Sequence, residues 1–351
     1  MAKRKTLIKD FEVLVKNGND DAVKEVFNKC DINAYGGYGK GNALFFLLSF
    51  DMMKWLIERG TDIEYVNQFH YTPLFHHACH RYAQEQAINL IKLGADVSYI
   101  HPMYKTSLLH AAVSSKSMEL IKVLMEIKPD VNALDYSGNT PLESAFYGAS
   151  TMDIIELAPV TEYLLSNGVN VTEKLKAYMK KAAKDIEFRR ESINPDYIGP
   201  VDNALESLYK LIGIEPVPRH ERFDGKAKII VKEKTWQKQH SELWKLLVPG
   251  SGHANTVQGE VIRIAGRIGY EILDNGGCNW DREYRKMAKC LLEYVLIGNK
   301  LEPEKYDELK IIISALPNTW EEHINRMTEL SVEWVILNPE PVLLQEVKYK
   351  R

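Results

Sequence analysis

Short apolar bursts at helical spacing fill the first half of the chain, as in MMKWLIERG (52–60), AINLIKLG (87–94) and ELIKVLMEIK (119–128). Each presents one apolar face and predicts an amphipathic helix. Between them lie polar segments rich in Gly, Asn, Asp and Tyr, which predict turns. After residue 172 the bursts lengthen. A basic amphipathic helix is expected from Thr172 as N-cap, with Leu175, Met179, Ala183 and Ile186 down one side. A second helix, NALESLYKLIG, is expected to be capped by Asp202 and stopped by Gly213. IEPVPRHERFDG (214–225) reads as a loop and KAKIIVKEK (226–234) as a short strand. Helical patterns return at 235–247, 256–274, 281–297, 303–316 and 319–337, with Asn318 and Glu321 spaced as a capping box.

The turn segments repeat. Thr72, Thr106 and Thr140 recur every 34 residues, in YTPLFHHA, KTSLLHAA and NTPLESAF. Asp62, Asp96 and Asp130 keep the same interval, and Asp31 opens the series 31 residues earlier. Two markers in register define a unit of two short helices and an extended turn. TPLFHHA and GADVSY are similar to the T-P-L-H-x-A and G-A-D-V-N-A signatures of the ankyrin-repeat family, over about residues 7–172. Asn42-Ala43-Leu44 and Lys128-Pro129 depart from those signatures. The resemblance implies a solenoid that binds protein, with irregular first and last units acting as caps. The expected fold is all-α: a repeat domain at 1–172, then a mainly helical domain at 173–351.

In such a solenoid the segments between the Asp and Thr markers form projecting fingers. Here each carries aromatic residues: Tyr35 and Tyr38, Tyr65 and Phe69, Tyr99 and Tyr104, then Tyr136. Rings anchor interfaces because they bury much area for little lost entropy. The other reading is that some, notably Tyr65 and Tyr99 at the position of the family's alanine, pack between fingers. The histidines of TPLFHHACH raise the question of a metal. His76 and His80 have the i, i+4 spacing of many ligand pairs, but no third ligand completes a set. His76 and His110 are 34 apart, so they read as repeat markers whose rings bond backbone.

The second half offers one further candidate, PGSGHANTVQGEVIRIAGRIGYEILDNGGCNW (249–280). On a helix from Thr256 to Leu273 the only charged residues, Glu260, Arg263, Arg267 and Glu271, fall within an arc of about 80°. Val257, Val261, Ile264, Ile268 and Ile272 fill a flank, and Gly259, Gly266 and Gly269 leave room for close approach. The charged stripe therefore sits in a buried network or lines a groove, together with His253, Gln258, Asn279 and Trp280. Asn255 and Gln258 are spaced as a capping box. The glycine loop before the helix lacks the strand and the Lys-Ser/Thr of a phosphate-binding P-loop. The QGE–IR–NGG–NW pattern resembles stretches of uncharacterised bacterial proteins, which implies no activity.

Composition narrows the classes. A net charge of −3 lacks the basic excess of a general nucleic-acid binder. There is no apolar run of membrane-spanning or signal-peptide length. Four scattered cysteines read as reduced thiols, and a cytoplasmic, bacterial protein is expected. The expected partner is a protein, with no nucleic acid, membrane, metal or cofactor. The main reading is an interaction scaffold without covalent chemistry. Its rivals are an enzymatic C-terminal domain targeted by the repeats, and a toxin-neutralising immunity protein or effector.

Overall fold

The computed structural model describes residues 2–219 and 223–351. It is mainly helical and divides into two units, Met1–Lys184 with Asp196–Val217 and Asp185–Pro195 with Pro218–Arg351.

The first unit is a series of helix pairs. They are α1 (Phe11–Lys16) with α2 (Asp20–Lys29), a 3-10 turn at Ala43–Phe45 with α3 (Phe50–Glu58), and α4 (Pro73–Ala78) with α5 (Gln84–Lys92). Then come α6 (Leu108–Ser114) with α7 (Met118–Glu126), and α8 (Pro141–Phe146) with α9 (Thr151–Ser166). The Thr-Pro-Leu marker has a local cause. Thr72 and Thr140 are N-caps whose hydroxyls accept the Phe75 and Glu143 N–H groups, and proline sits in the first turn, where no N–H is needed. Second helices end on a left-handed residue: Gly60, Gly94 and Gly168, and in the departing repeat Lys128 at φ 51°. Lys128 shows that the family's glycine there marks a backbone conformation.

One small sheet escapes the apolar pattern. β1 (Arg4–Thr6) pairs in parallel with β2 (Cys30–Tyr35), and beside it Phe11 packs edge-on against Phe27 and Phe46. The far end has the cap expected at Thr172 and one contact more. The 34-residue register stops, yet Thr172 accepts the Leu175 N–H at 3.0 Å and donates to the Glu143 carboxylate. The long helix α10 (Glu173–Phe188) thus starts on a cap of the same design, and the first unit runs past residue 172. α11 (Pro195–Ile212) starts seven residues before Asp202, so Asp202 lies within the helix rather than at its cap.

In the second unit, α12 (Trp236–Leu247), α14 (Arg282–Tyr294) and α16 (Glu321–Leu337) surround α13 (Val257–Gly269), and α15 (Pro303–Ala315) packs on α14 and α16. Val257, Val261, Ile262, Ile264, Ala265 and Ile268 are all buried, as the apolar flanks of α13 require. A π turn, Tyr270–Asp274, continues α13. Three local expectations fail. KAKIIVKEK joins no sheet; the Ile229 N–H bonds the Pro339 carbonyl at 2.8 Å, and the Ile229 side chain enters the core. Helix α13 is capped by Thr256, because Gln258 is engaged by the tail: its amide donates to the Asn338 and Glu340 carbonyls and accepts the Val342 N–H. Helix α16 has Trp320 at its N-cap with no side-chain cap bond, so Asn318 and Glu321 form no box. The expected loop at 214–225 includes His220–Arg222, which lie outside the described residues.

The glycines of α13 differ in what they permit. A Cβ on Gly266 would overlap the Trp244 ring of α12, and one on Gly259 would meet the Leu247 carbonyl at 2.9 Å. One on Gly269 would make an ordinary 3.7 Å contact with Ile324. Overpacking costs about 1–3 kcal/mol, whereas alanine gains up to about 1 kcal/mol over glycine in a helix. Gly266→Ala is therefore expected to lower the denaturation midpoint of this unit, and Gly269→Ala to leave it unchanged or raise it. Equal losses from both would contradict the packing described.

Candidate functional site

Two features concentrate chemistry: the fingers of the first unit and the charged stripe of α13. Each finger has to satisfy backbone N–H groups that no helix ladder reaches. At its base Asp31, Asp62, Asp96 and Asp130 each accept the N–H two residues on, at 2.8–3.0 Å, which is why the Asp marker repeats. At its tip a third 34-residue series does similar work. Asn67 accepts the Phe69 and Tyr71 N–H groups at 2.9 and 3.0 Å. His101 Nδ1 accepts from Met103 and Tyr104 at 3.3 Å each. Asp135 accepts from Ser137 and Asn139 at 2.8 and 2.9 Å, and from the Ser144 hydroxyl. Burial pushes the Asp135 pKa up, but those three donors hold it below its ordinary value. The sequence reading missed this series because Asn, His and Asp share an acceptor atom and no letter.

Neighbouring tips are tied to one another. Gln68 donates its backbone N–H to the Gly39 carbonyl at 3.1 Å and its side-chain amide to the Tyr38 carbonyl at 2.6 Å. Because His101 Nδ1 accepts, its Nε2–H donates, to the Phe69 carbonyl at 3.1 Å. The Tyr99 hydroxyl donates to the His70 carbonyl, and the Tyr136 N–H to the Tyr104 carbonyl at 2.8 Å. Lys174 of α10 closes the series on the Ser137 and Gly138 carbonyls at 3.2 and 2.8 Å.

The seven aromatic residues divide within this frame. Tyr35, Tyr65 and Tyr99 are half-buried; Tyr65 lies edge-on to Phe45 and Tyr99 edge-on to Phe75. Tyr38, Tyr136, Tyr104 and Phe69 are 89%, 75%, 57% and 38% exposed, and the Tyr38 and Phe69 rings lie 5.4 Å apart. Ile100, Met103 and Leu134 are exposed on the same fingers. Of the two marker histidines, His110 bonds backbone as expected, Nε2 to the Asn139 carbonyl at 3.1 Å. In the TPLFHHA repeat it is His77 rather than His76 whose Nε2 does so, to the Leu44 carbonyl at 2.8 Å, and each bond reaches a neighbouring repeat. Burial pushes the His77 pKa down to about 4 despite its carbonyl bond. Burial, with His77 and His80 alongside, takes His76 down to about 3.

The stripe of α13 is not one groove. Its N-terminal half is enclosed, with Glu260 and Arg263 buried. The Glu260 carboxylate accepts two bonds from Arg263, at 2.7 and 2.9 Å, the Ala254 N–H at 2.9 Å, and the Tyr349 hydroxyl. Arg263 also donates to the Arg351 carbonyl at 2.7 Å, and His253 Nδ1 lies 3.0 Å from both side chains. Burial pushes the Glu260 pKa up, but the guanidinium, the phenol and the N–H outweigh it and hold it below its ordinary value. Burial by itself lifts the Tyr349 pKa, and the Glu260 charge lifts it further.

The other half opens. Glu271 is buried and ties down DNGGCN, accepting from the Asn275 amide at 3.0 Å and the Asn279 N–H at 2.5 Å. Trp280 stacks on Tyr284 with centroids 5.3 Å apart. Arg267 is partly exposed and makes no hydrogen bond or ion pair with any described residue.

Residues 109–158 match the family model for ankyrin repeats (many copies), so the chain carries ankyrin repeats in the middle of its sequence. No curated protein matches the chain. No helix among the described residues is long and apolar enough to cross a membrane.

Removing one partner of the Glu260–Arg263 pair strands the other. Arg263→Met is expected to destabilise the second unit by about 3–5 kcal/mol in denaturant titration. Glu260→Gln combined with Arg263→Met is expected to lose less than the sum of the single changes. A depressed carboxylate pKa contributes stability that is complete above the ordinary value of 4.5 and is lost as pH falls through the folded value. Wild type should therefore lose stability on acidification below about pH 4.5, and Glu260→Gln should lose less over that window. Strict additivity, or an unchanged acid limb, would contradict the network.

Proposed function

We propose that this chain is a protein-binding scaffold whose finger edge grips its partner through Tyr38, Phe69, Tyr104 and Tyr136. The observation that carries the reading is the coexistence of exposed rings with tips already fixed by hydrogen bonds. A solvated turn tip favours Gly, Asn and Asp. Rings held outward on an ordered backbone give up little conformational freedom on docking, and this favours affinity. Tyr35, Tyr65 and Tyr99 support the edge from behind, and Ile100, Met103 and Leu134 add apolar area around the rings. The geometry of α13 favours a structural role for Glu260 and Arg263: a carboxylate closed off and held ionised lacks the raised pKa of a general acid at neutral pH.

The test is affinity capture with wild type and with the fourfold Ala variant at Tyr38, Phe69, Tyr104 and Tyr136, followed by titration of the captured protein against both. Since Tyr38, Tyr104 and Tyr136 are largely exposed and Phe69 is 38% exposed, the variant should keep its circular dichroism and most of its unfolding midpoint. Loss of a central interface ring costs about 2 kcal/mol or more. The fourfold variant is thus expected to bind at least a hundredfold more weakly. A folded variant that binds the same protein with wild-type affinity would overturn the reading.

A further inference from the structure

A cleft of about 590 Å³ lies beside the C-terminal half of α13, bounded by α12, the π turn, the start of α14 and Arg351. That volume falls within the range of small-molecule sites. Three observations bear on what it holds.

The first is charge. Arg351 is paired with Asp281 at 2.5 Å and lies over the Tyr284 ring, and Glu271 is engaged with Asn275 and Asn279. Arg267, without a hydrogen-bond or ion-pair partner among the described residues, presents a free guanidinium to the cleft, and the Glu271 carboxylate, held only by neutral donors, lies in the same lining.

The second is shape. Trp244 is pinned flat by Gly266, whose missing Cβ admits the ring. Tyr270, 65% exposed, stands on the π turn, a departure from α geometry that often marks functional positions. Trp244, Tyr270 and Arg267 all line the cleft, so two flat ring surfaces border it together with the cation.

The third is an orphaned atom. His240 Nε2 is hidden from solvent and has no hydrogen-bond partner. Burial pushes the His240 pKa down, against a hydrogen bond to the Ile262 backbone, so the ring is neutral at pH 7. A neutral imidazole carries one lone pair, and the tautomer protonated at Nδ1 leaves it on Nε2, where it calls for a donor.

We propose that this cleft binds a small organic carboxylate carried on a flat ring with an N–H donor, the carboxylate on Arg267, the ring between Trp244 and Tyr270, and the N–H on His240 Nε2. One free guanidinium with the Glu271 carboxylate nearby suits the single charge of a carboxylate better than a phosphate dianion. Guanidinium–carboxylate bonds and ring stacking supply affinity, and the imidazole supplies selectivity among rings.

Calorimetric titration of the full chain with indole-3-acetate, indole-3-acetamide, naphthalene-1-acetate and inorganic phosphate tests the assignment. Indole-3-acetate is expected to bind saturably, and the neutral amide at least tenfold more weakly. Arg267→Gln should cost the acid about tenfold or more while leaving the amide unchanged. Tyr270→Ser should weaken both severalfold, and His240→Phe should abolish the preference for the indole over the naphthalene acid. Arg267 and Tyr270 lie at the surface, and circular dichroism confirms that each variant is folded. The proposal is overturned if indole-3-acetate shows no saturable binding at millimolar concentration, if Arg267→Gln binds it as wild type does, or if phosphate binds more tightly than the acid.

Discussion

Irregular backbone that projects from a helical stack carries N–H groups with no ladder to join, and leaving them unpaired where water is scarce costs about 1–3 kcal/mol each. In three of the four fingers one side chain settles that demand from inside the tip: Asn67, His101 and Asp135 each accept two N–H groups. Everything on the finger edge depends on this constraint. With the tip closed on its own acceptor, its carbonyls are free to receive bonds from the next finger, which joins separate turns into one edge. The outward residues then have no structural duty, and rings can occupy them.

Much of this was legible in the sequence, and the limits are physical. Thr72 and Thr140 kept their letter because a cap needs a small hydroxyl, a duty that Ser107 rather than Thr106 performs in the repeat between them. The Asp marker kept its letter because a base turn needs a short carboxylate. The tip series stayed invisible because three chemically different side chains meet one requirement for an acceptor. The seven rings were found together, but their division into supporting and exposed sets depends on the next finger, which spacing alone does not place. Lys128 departed from the expected glycine without changing the turn, since it adopts the same left-handed conformation.

The second unit shows the complementary case. The charged arc on α13 and the close approach at Gly259 and Gly266 follow from helical spacing, so the sequence disclosed them. The partition of that arc did not, because its cause lies far along the chain: Tyr349 and Arg351 close the Glu260–Arg263 end, and nothing local to α13 announces them. The same distant tail takes Gln258 away from the capping role its spacing suggested, and Thr256 caps in its place. KAKIIVKEK misled for a similar reason. Its alternation suits a strand, yet a single backbone bond to Pro339 and the burial of Ile229 satisfy it without a sheet.

The closure of Glu260 and Arg263 by Tyr349 and Arg351 spans 89 and 88 positions. A ribosome finishes α13 well before it makes those partners, so for that interval the nascent helix holds its ion pair without the phenol and carbonyl that complete the enclosure. Contacts of such long sequence separation also form late, because loop closure must come first. The enclosure of Glu260 and Arg263 is therefore completed only once residues 349–351 have been made.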